Sequence, residues 1–202
     1  MNNRSYYELR VEHALHFLVS QDWVKDYRFA APNSNLDRER KTDCIVWPHD
    51  TFDLPRLDVQ IKSVTFKKKK KGAYKRTLRM KGVKLLQLRP DAGTDEIKAR
   101  ILFLLFNPQL TGSPVPIRAQ FRKFTGKRRL STVWDSVVYS LNILQNEEHI
   151  AHFDFDPRQN VFQVHTLPSG KTKSLAVSNP TKVLILNRIT ATEKLKQFLL
   201  YK

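Results

Sequence analysis

The 202-residue chain has a single cysteine, Cys44, which excludes an intrachain disulfide and any cysteine-based zinc cage. Cys44 sits inside a strand-like apolar run and reads as core, so a reducing, cytoplasmic location is expected. The six glycines form no phosphate-cradling loop, which argues against an ATP-driven enzyme. Nothing in the spacing suggests a flavin or nicotinamide site. Long hydrophobic runs are missing too: Ile101 to Phe106 is the longest and is far too short to span a bilayer, and the N-terminus has no apolar signal segment. No membrane partner is expected, and there are no internal repeats.

Acids are scarce in one region. From Lys62 to Arg129 there are twenty Lys and Arg against Asp91, Asp95 and Glu96, a surplus of seventeen that equals the net charge of the whole chain. Both flanks are therefore balanced. A basic belt between neutral ends is the footprint of a polyanion-binding surface, and DNA is the first candidate partner. The belt has two dense parts. Lys67, Lys68, Lys69, Lys70 and Lys71, followed by Lys75 and Arg76, read either as a solvated loop or as a loop holding a phosphate backbone. Arg122, Lys123, Lys127, Arg128 and Arg129 interleave with Phe121 and Phe124, which could stack bases or anchor a core.

In chain order, Ser5 and Glu8 form a capping-box pattern ahead of a helix whose buried stripe is Val11, Ala14, Leu15 and Leu18. Trp23 to Phe29 reads as a first strand and Ala31 to Lys41 as a loop. Thr42 to Trp47 reads as a second strand. Leu57-Asp58-Val59-Gln60-Ile61-Lys62-Ser63 is a third, because its apolar and polar residues alternate at the strand period of two. Its polar face carries an acid, an amide and an amine. Val83 to Leu88 follows as a strand, Thr94 to Arg100 as a short helix capped by Thr94, and Ile101 to Phe106 as a strand buried on both faces. Past a Pro/Gly/Ser turn at Thr111 to Pro116, Ser131 caps a helix running towards Glu148. Its stripe of Val133, Val137, Leu141 and Leu144 suits either a core or a homodimer interface. Short strands with turns at Asp156-Pro157, Pro168-Ser169-Gly170 and Asn179-Pro180 lead to a closing helix over Thr192 to Leu200.

Glu8 on a first helix, Asp43 at the mouth of a strand, and Gln60-Ile61-Lys62 on the next strand resemble the core of the PD-(D/E)xK nuclease superfamily. The likeness is closest to the Mrr-like and Holliday-junction-resolvase-like branches and covers about the first third of the chain. Two positions depart from the motif: Thr42 replaces the proline before the aspartate, and Gln60 replaces the second acid. The glutamine form is found in Mrr-like nucleases and in a transposase nuclease subunit. The resemblance implies an α/β fold with a mixed central sheet flanked by helices, a restriction-endonuclease-like core over residues 1–110, and an α+β extension over 111–202 packed on it. It implies a Mg²⁺- or Mn²⁺-dependent endodeoxyribonuclease that hydrolyses DNA by direct water attack. Cutting both strands suits a homodimer.

Phosphodiester hydrolysis calls for these residue types. A divalent cation must neutralise phosphorane charge and acidify a water. Asp43 would hold it, with the side-chain carbonyl of Gln60, the main-chain carbonyl of Ile61 and the carboxylate of Glu8. Lys62 would orient water or stabilise developing charge. Asp58, on the same strand face, is a reserve acid. The alternative is a nucleic-acid-binding protein that keeps the nuclease fold and has lost catalysis through Gln60; a basic RNA-binding protein is a third reading. A rival cluster of His149, His152, Asp154 and Asp156 lacks the glutamate of a zinc-protease helix and reads as an ordinary strand exit. His13, His16, His49 and His165 show no interpretable pattern.

Overall fold

A computed structural model describes residues 5–63, 77, 78, 80–107, 130–176 and 188–201 of the chain. It is a mixed α/β structure that divides into two compact units, Met1–Val115 and Pro116–Lys202. Among the described residues, no helix is long and apolar enough to cross a membrane.

In the first unit, α1 (Tyr6–Ser20) begins with a complete capping box: the Ser5 hydroxyl accepts from the Glu8 N–H, and the Glu8 carboxylate accepts from the Ser5 N–H. Two otherwise orphaned donors are satisfied at once, which fixes where the helix starts and therefore where Glu8 points. Val11, Ala14, Leu15 and Leu18 are its buried stripe. Four strands follow, β1 (Val24–Phe29), β2 (Cys44–Pro48), β3 (Leu57–Ser63) and β4 (Lys84–Leu88), in the order β1-β2-β3-β4. The first two pairings are antiparallel and β3–β4 is parallel, so the sheet is mixed. Cys44 lies opposite Val59, and Lys62 lies opposite Gln87. The loop before β2 includes one wide helical turn, Leu36–Arg40, ended by Lys41 in the left-handed region at φ 61°.

The stretch after β4 differs from the expectation. Thr94–Phe106 is one continuous helix, α2, and not a short helix followed by a strand. Every residue from Asp95 to Leu105 is buried, so the helix has no polar stripe to betray its period. A buried helix and a strand buried on both faces then look alike in sequence. With no Gly or Pro between Thr94 and Phe106, a helix once nucleated propagates through the run. Thr94 is its first residue rather than its cap, that position falling to Gly93.

Burying α2 requires its charges to be matched internally. Arg100 and Glu96 are both fully buried and paired one turn apart at 2.8 Å. The other Glu96 oxygen accepts from Arg89 at the end of β4, 2.7 Å away, and Arg89 also holds Asp91 at 2.9 Å. This network ties α2 to β4. The same corner receives α1, because the Arg10 guanidinium donates to the Pro90 carbonyl at 2.8 Å.

The second unit holds α3 (Leu130–Asn146), the antiparallel meander β5 (Ile150–Asp156), β6 (Val161–Thr166) and β7 (Thr172–Ala176), and α4 (Arg188–Tyr201). The inner face of the sheet presents Phe153, Phe155, Phe162 and Val164, all buried. Trp134 of α3 packs on Phe155 and Phe162, with ring centroids 5.4 and 5.9 Å apart. α4 meets α3 through a buried Thr192–Ser140 hydroxyl pair at 3.0 Å. Val137, Leu141 and Leu144 are fully buried within this single chain, so that part of the stripe is core and offers no surface to a second copy; the Val133 side chain lies outside the described residues. Asp156 closes the β5–β6 turn by accepting from the Arg158 N–H at 2.8 Å, and Gly170 supplies a left-handed φ of 64° between β6 and β7. The turn expected at Asn179-Pro180 also lies outside the described residues.

Replacing Glu96 by Ala takes from the buried Arg100 the carboxylate 2.8 Å away and removes a partner from Arg89. The expected loss is about 3–5 kcal/mol of unfolding free energy, measured by urea denaturation. A loss below about 1 kcal/mol, the scale of an exposed pair, would show that the network does not hold α2 in place.

Candidate metal centre

β2 pairs with β3 only as far as Cys44. One residue earlier, the Asp43 N–H still donates to the Val59 carbonyl at 2.8 Å. Beyond that point the chain turns away, and the Asp43 side chain takes over: its Oδ2 accepts from the Ile61 N–H at 2.7 Å. A carboxylate thus stands where the next backbone carbonyl of β2 would have been. Along a strand, the N–H and C=O of one residue face the same edge, so the Ile61 carbonyl also opens on this gap beside Asp43.

Gln60 and Lys62 share one face of β3, two residues apart. The Gln60 amide donates to Asp43 Oδ2, and the Lys62 Nζ lies 3.9 Å from that oxygen. Gln60 is buried, whereas Lys62 keeps about a third of its side chain exposed. From α1, Glu8 contributes a like charge close enough to act on Asp43. Glu8 remains a capping residue as well, with Oε2 given to the Ser5 N–H at 2.7 Å. Asp43, Gln60, the Ile61 N–H and Lys62 are therefore brought to one place, with Glu8 near enough for its charge to act on Asp43.

Electrostatics sets the character of the cluster. Burial raises the Asp43 pKa above the ordinary carboxylate value. The Lys62 charge, the Ile61 N–H and the Gln60 amide pull it down in that order, and the Glu8 charge adds to the rise. The net direction is upward, so the ionised carboxylate is under-compensated. An under-compensated carboxylate with the Ile61 carbonyl beside it and a second carboxylate near it is a hard-oxygen donor set, which the Gln60 carbonyl would join if its amide turned. It fits Mg²⁺ or Mn²⁺ by ligand type, with water completing the sphere. The amide and ammonium directed at Asp43 supply part of the positive charge that a cation would bring.

The remaining residues sort themselves around this cluster. Asp58, on the same face of β3, lies 3.2 Å from Arg56 and 3.8 Å from Arg40, so its charge is already matched. Thr42 is fully buried, and its N–H donates to the Leu36 carbonyl at 2.9 Å. A proline there would forfeit that bond. Lys67 to Lys71, Lys75, Arg76, Arg122, Lys123 and Lys127 to Arg129 all lie outside the described residues.

Of the rival cluster, Asp156 serves the β5–β6 turn and His149 lies 3.7 Å from Glu147. His152 and Asp154 stay together on one face of β5, and His165 of β6 joins them. Sequence reading missed His165 because its partner is thirteen positions away across a hairpin. A period-two count along β6, with Val164 inward and His165 outward, carried the signal. No family model, no curated protein and no solved structure matches the chain.

A carboxyl whose pKa is raised by folding contributes stability at low pH and loses it as pH rises through the folded-state value. In chelator, Asp43→Asn should therefore gain stability relative to the parent between about pH 4, the ordinary carboxyl range, and neutrality. Mg²⁺ should recover the deficit in the parent only. Denaturation midpoints at both pH values test this; a pH-independent difference, or one of opposite sign, would contradict it.

Proposed function

We propose that the first unit is a restriction-endonuclease-like nuclease core of the PD-(D/E)xK type, acting as a metal-dependent endonuclease on DNA. The observation that carries this reading is the meeting of Asp43 with the Gln60 amide, the Ile61 N–H and the Lys62 ammonium at the end of β2, within reach of the Glu8 charge. That set comes from one helix and two strands, and it is the combination that phosphodiester hydrolysis requires. Glu8, Asp43, the Gln60 side-chain carbonyl and the Ile61 carbonyl would hold Mg²⁺ or Mn²⁺, which when bound supplies charge neutralisation and an acidified water.

The chain's own groups do the rest. Asp43 is held at the gap by the bond from the Ile61 N–H to its Oδ2. The Glu8 carboxylate is held by the helix cap through the Ser5 N–H. The Lys62 ammonium stands at the edge of the cluster with its end part-exposed, placed to meet a phosphate oxygen and to stabilise negative charge as water attacks. The groups assigned to the site, Glu8, Asp43, Gln60, Ile61 and Lys62, include no hydroxyl or thiol nucleophile, which supports direct attack by water. Gln60 in place of an acid lowers the ligand charge and weakens cation affinity. The basic belt beginning at Lys62 supplies the sequence-independent attraction to DNA.

A second reading rests on one contact. The Gln60 amide nitrogen is turned towards Asp43, so that its carbonyl faces away. In a chain where that amide never turns, the fold would bind DNA without cutting it.

Supercoiled plasmid with Mg²⁺ or Mn²⁺ should be nicked or linearised by the full chain. Asp43→Ala should abolish cutting, and Lys62→Ala should slow it by at least about 10²-fold, both with DNA affinity nearly unchanged. Gln60→Glu should lower the Mg²⁺ concentration at half-maximal rate by about tenfold through its added charge. Tight DNA binding with no cutting in either metal would favour the second reading.

A further inference from the structure

The outer face of the β5–β6–β7 sheet carries a second constellation, in the second unit and independent of the proposed nuclease site. His152 and His165 are direct cross-strand partners. Their rings stack with centroids 3.9 Å apart and planes within 19°. Asp154 follows His152 by two residues and so projects from the same face. One ligand atom from each of the three lies within 4.8 Å of the other two.

We propose that His152, Asp154 and His165 form a binding site for a first-row divalent transition metal, Zn²⁺ in the first instance. A tetrahedral ion bonded at about 2.0–2.1 Å spaces its donors about 3.4 Å apart, somewhat closer than the 4.8 Å within which the three ligand atoms lie. Two imidazoles and one carboxylate select Zn²⁺, Co²⁺, Ni²⁺ or Cu²⁺ over Mg²⁺, which prefers an all-oxygen set.

The orientation of His165 is independent support. Its Nδ1 lies 2.9 Å from the Thr172 hydroxyl of β7. With Nδ1–H donating to that oxygen, the lone pair sits on Nε2, the tautomer a metal requires, and the ring is held by an outer partner of the kind that metal-binding histidines use. The core of the second unit is built from the face of the sheet opposite these residues. Phe153, Phe155 and Phe162 alternate with them and build the core, so the outer positions could carry any soluble side chain. Three protein ligands leave one tetrahedral position for water. A bound ion would clip β5 to β6 and stabilise the second unit by mass action.

Untagged full-length protein, stripped with chelator and held in millimolar Mg²⁺ to occupy oxygen-only sites, should take up one Zn²⁺ at this site in calorimetric titration. Co²⁺ should produce the visible bands of tetrahedral coordination, and Zn²⁺ should raise the Tm. His152→Ala, His165→Ala and Asp154→Asn should each weaken Zn²⁺ binding by at least tenfold, and Thr172→Val by about tenfold. Asp43→Asn should leave it unchanged, which separates this site from the nuclease site. Circular dichroism checks that each variant folds; should one fail, the other substitutions still decide. Zn²⁺ uptake unaltered in the His152→Ala and His165→Ala proteins, or no uptake by the parent, would overturn the assignment.

Discussion

The hydrogen bond from the Ile61 N–H to the Asp43 carboxylate is the contact on which the arrangement of the candidate site depends. β2 stops pairing at Cys44, and the side chain of the preceding residue continues the ladder in its place. A backbone carbonyl there would have completed an ordinary sheet edge. A carboxylate instead puts a negative charge into a part-buried gap, with the carbonyl of Ile61 and the amide of Gln60 beside it. The gap thus arises from strand lengths, and β3 outlasts β2 by just enough to present Gln60 and Lys62 past its end.

That charge is poorly settled in the protein alone. Burial opposes it and Glu8 repels it, while Lys62, the Ile61 N–H and Gln60 only partly compensate. The surrounding structure holds the opposing groups together. The capping box aims Glu8, Arg10 fastens α1 to the corner after β4, and the Arg89–Glu96–Arg100 network anchors that corner to the buried α2. Remote packing therefore supports an arrangement that local electrostatics disfavours, which is the relationship expected where a fold keeps a functional group under strain. A cation in the gap would reverse the balance, because both carboxylates would then face an opposite charge.

Legibility in the sequence followed periodicity and caps. β3 coincides with the heptamer Leu57–Ser63 because a half-buried strand leaves an alternating trace. α1 was visible from Ser5, Glu8 and the stripe at Val11, Ala14, Leu15 and Leu18. α2 was misread from Ile101 onward because complete burial erases the polar face that distinguishes 3.6 from 2. The buried charges Glu96 and Arg100, one helical turn apart, were the missed clue. At the candidate metal centre, residue types and spacing named Glu8, Asp43, Gln60 and Lys62, but not the Ile61 N–H that holds Asp43, since a backbone donor has no sequence signature. His165 was invisible beside His152 because cross-strand neighbours depend on hairpin register, which one strand alone does not reveal.

The central claim is that one cation is shared by α1, the mouth of β2 and the end of β3. Mn²⁺ titrated into ¹⁵N-labelled protein tests it most directly, since the paramagnetic ion broadens amide resonances near its site. The account predicts early broadening at Glu8, Asp43, Ile61 and Lys62 together, abolished at these positions in Asp43→Asn. Sharp Glu8 and Ile61 resonances in the presence of bound Mn²⁺, or broadening that survives the substitution, would contradict it.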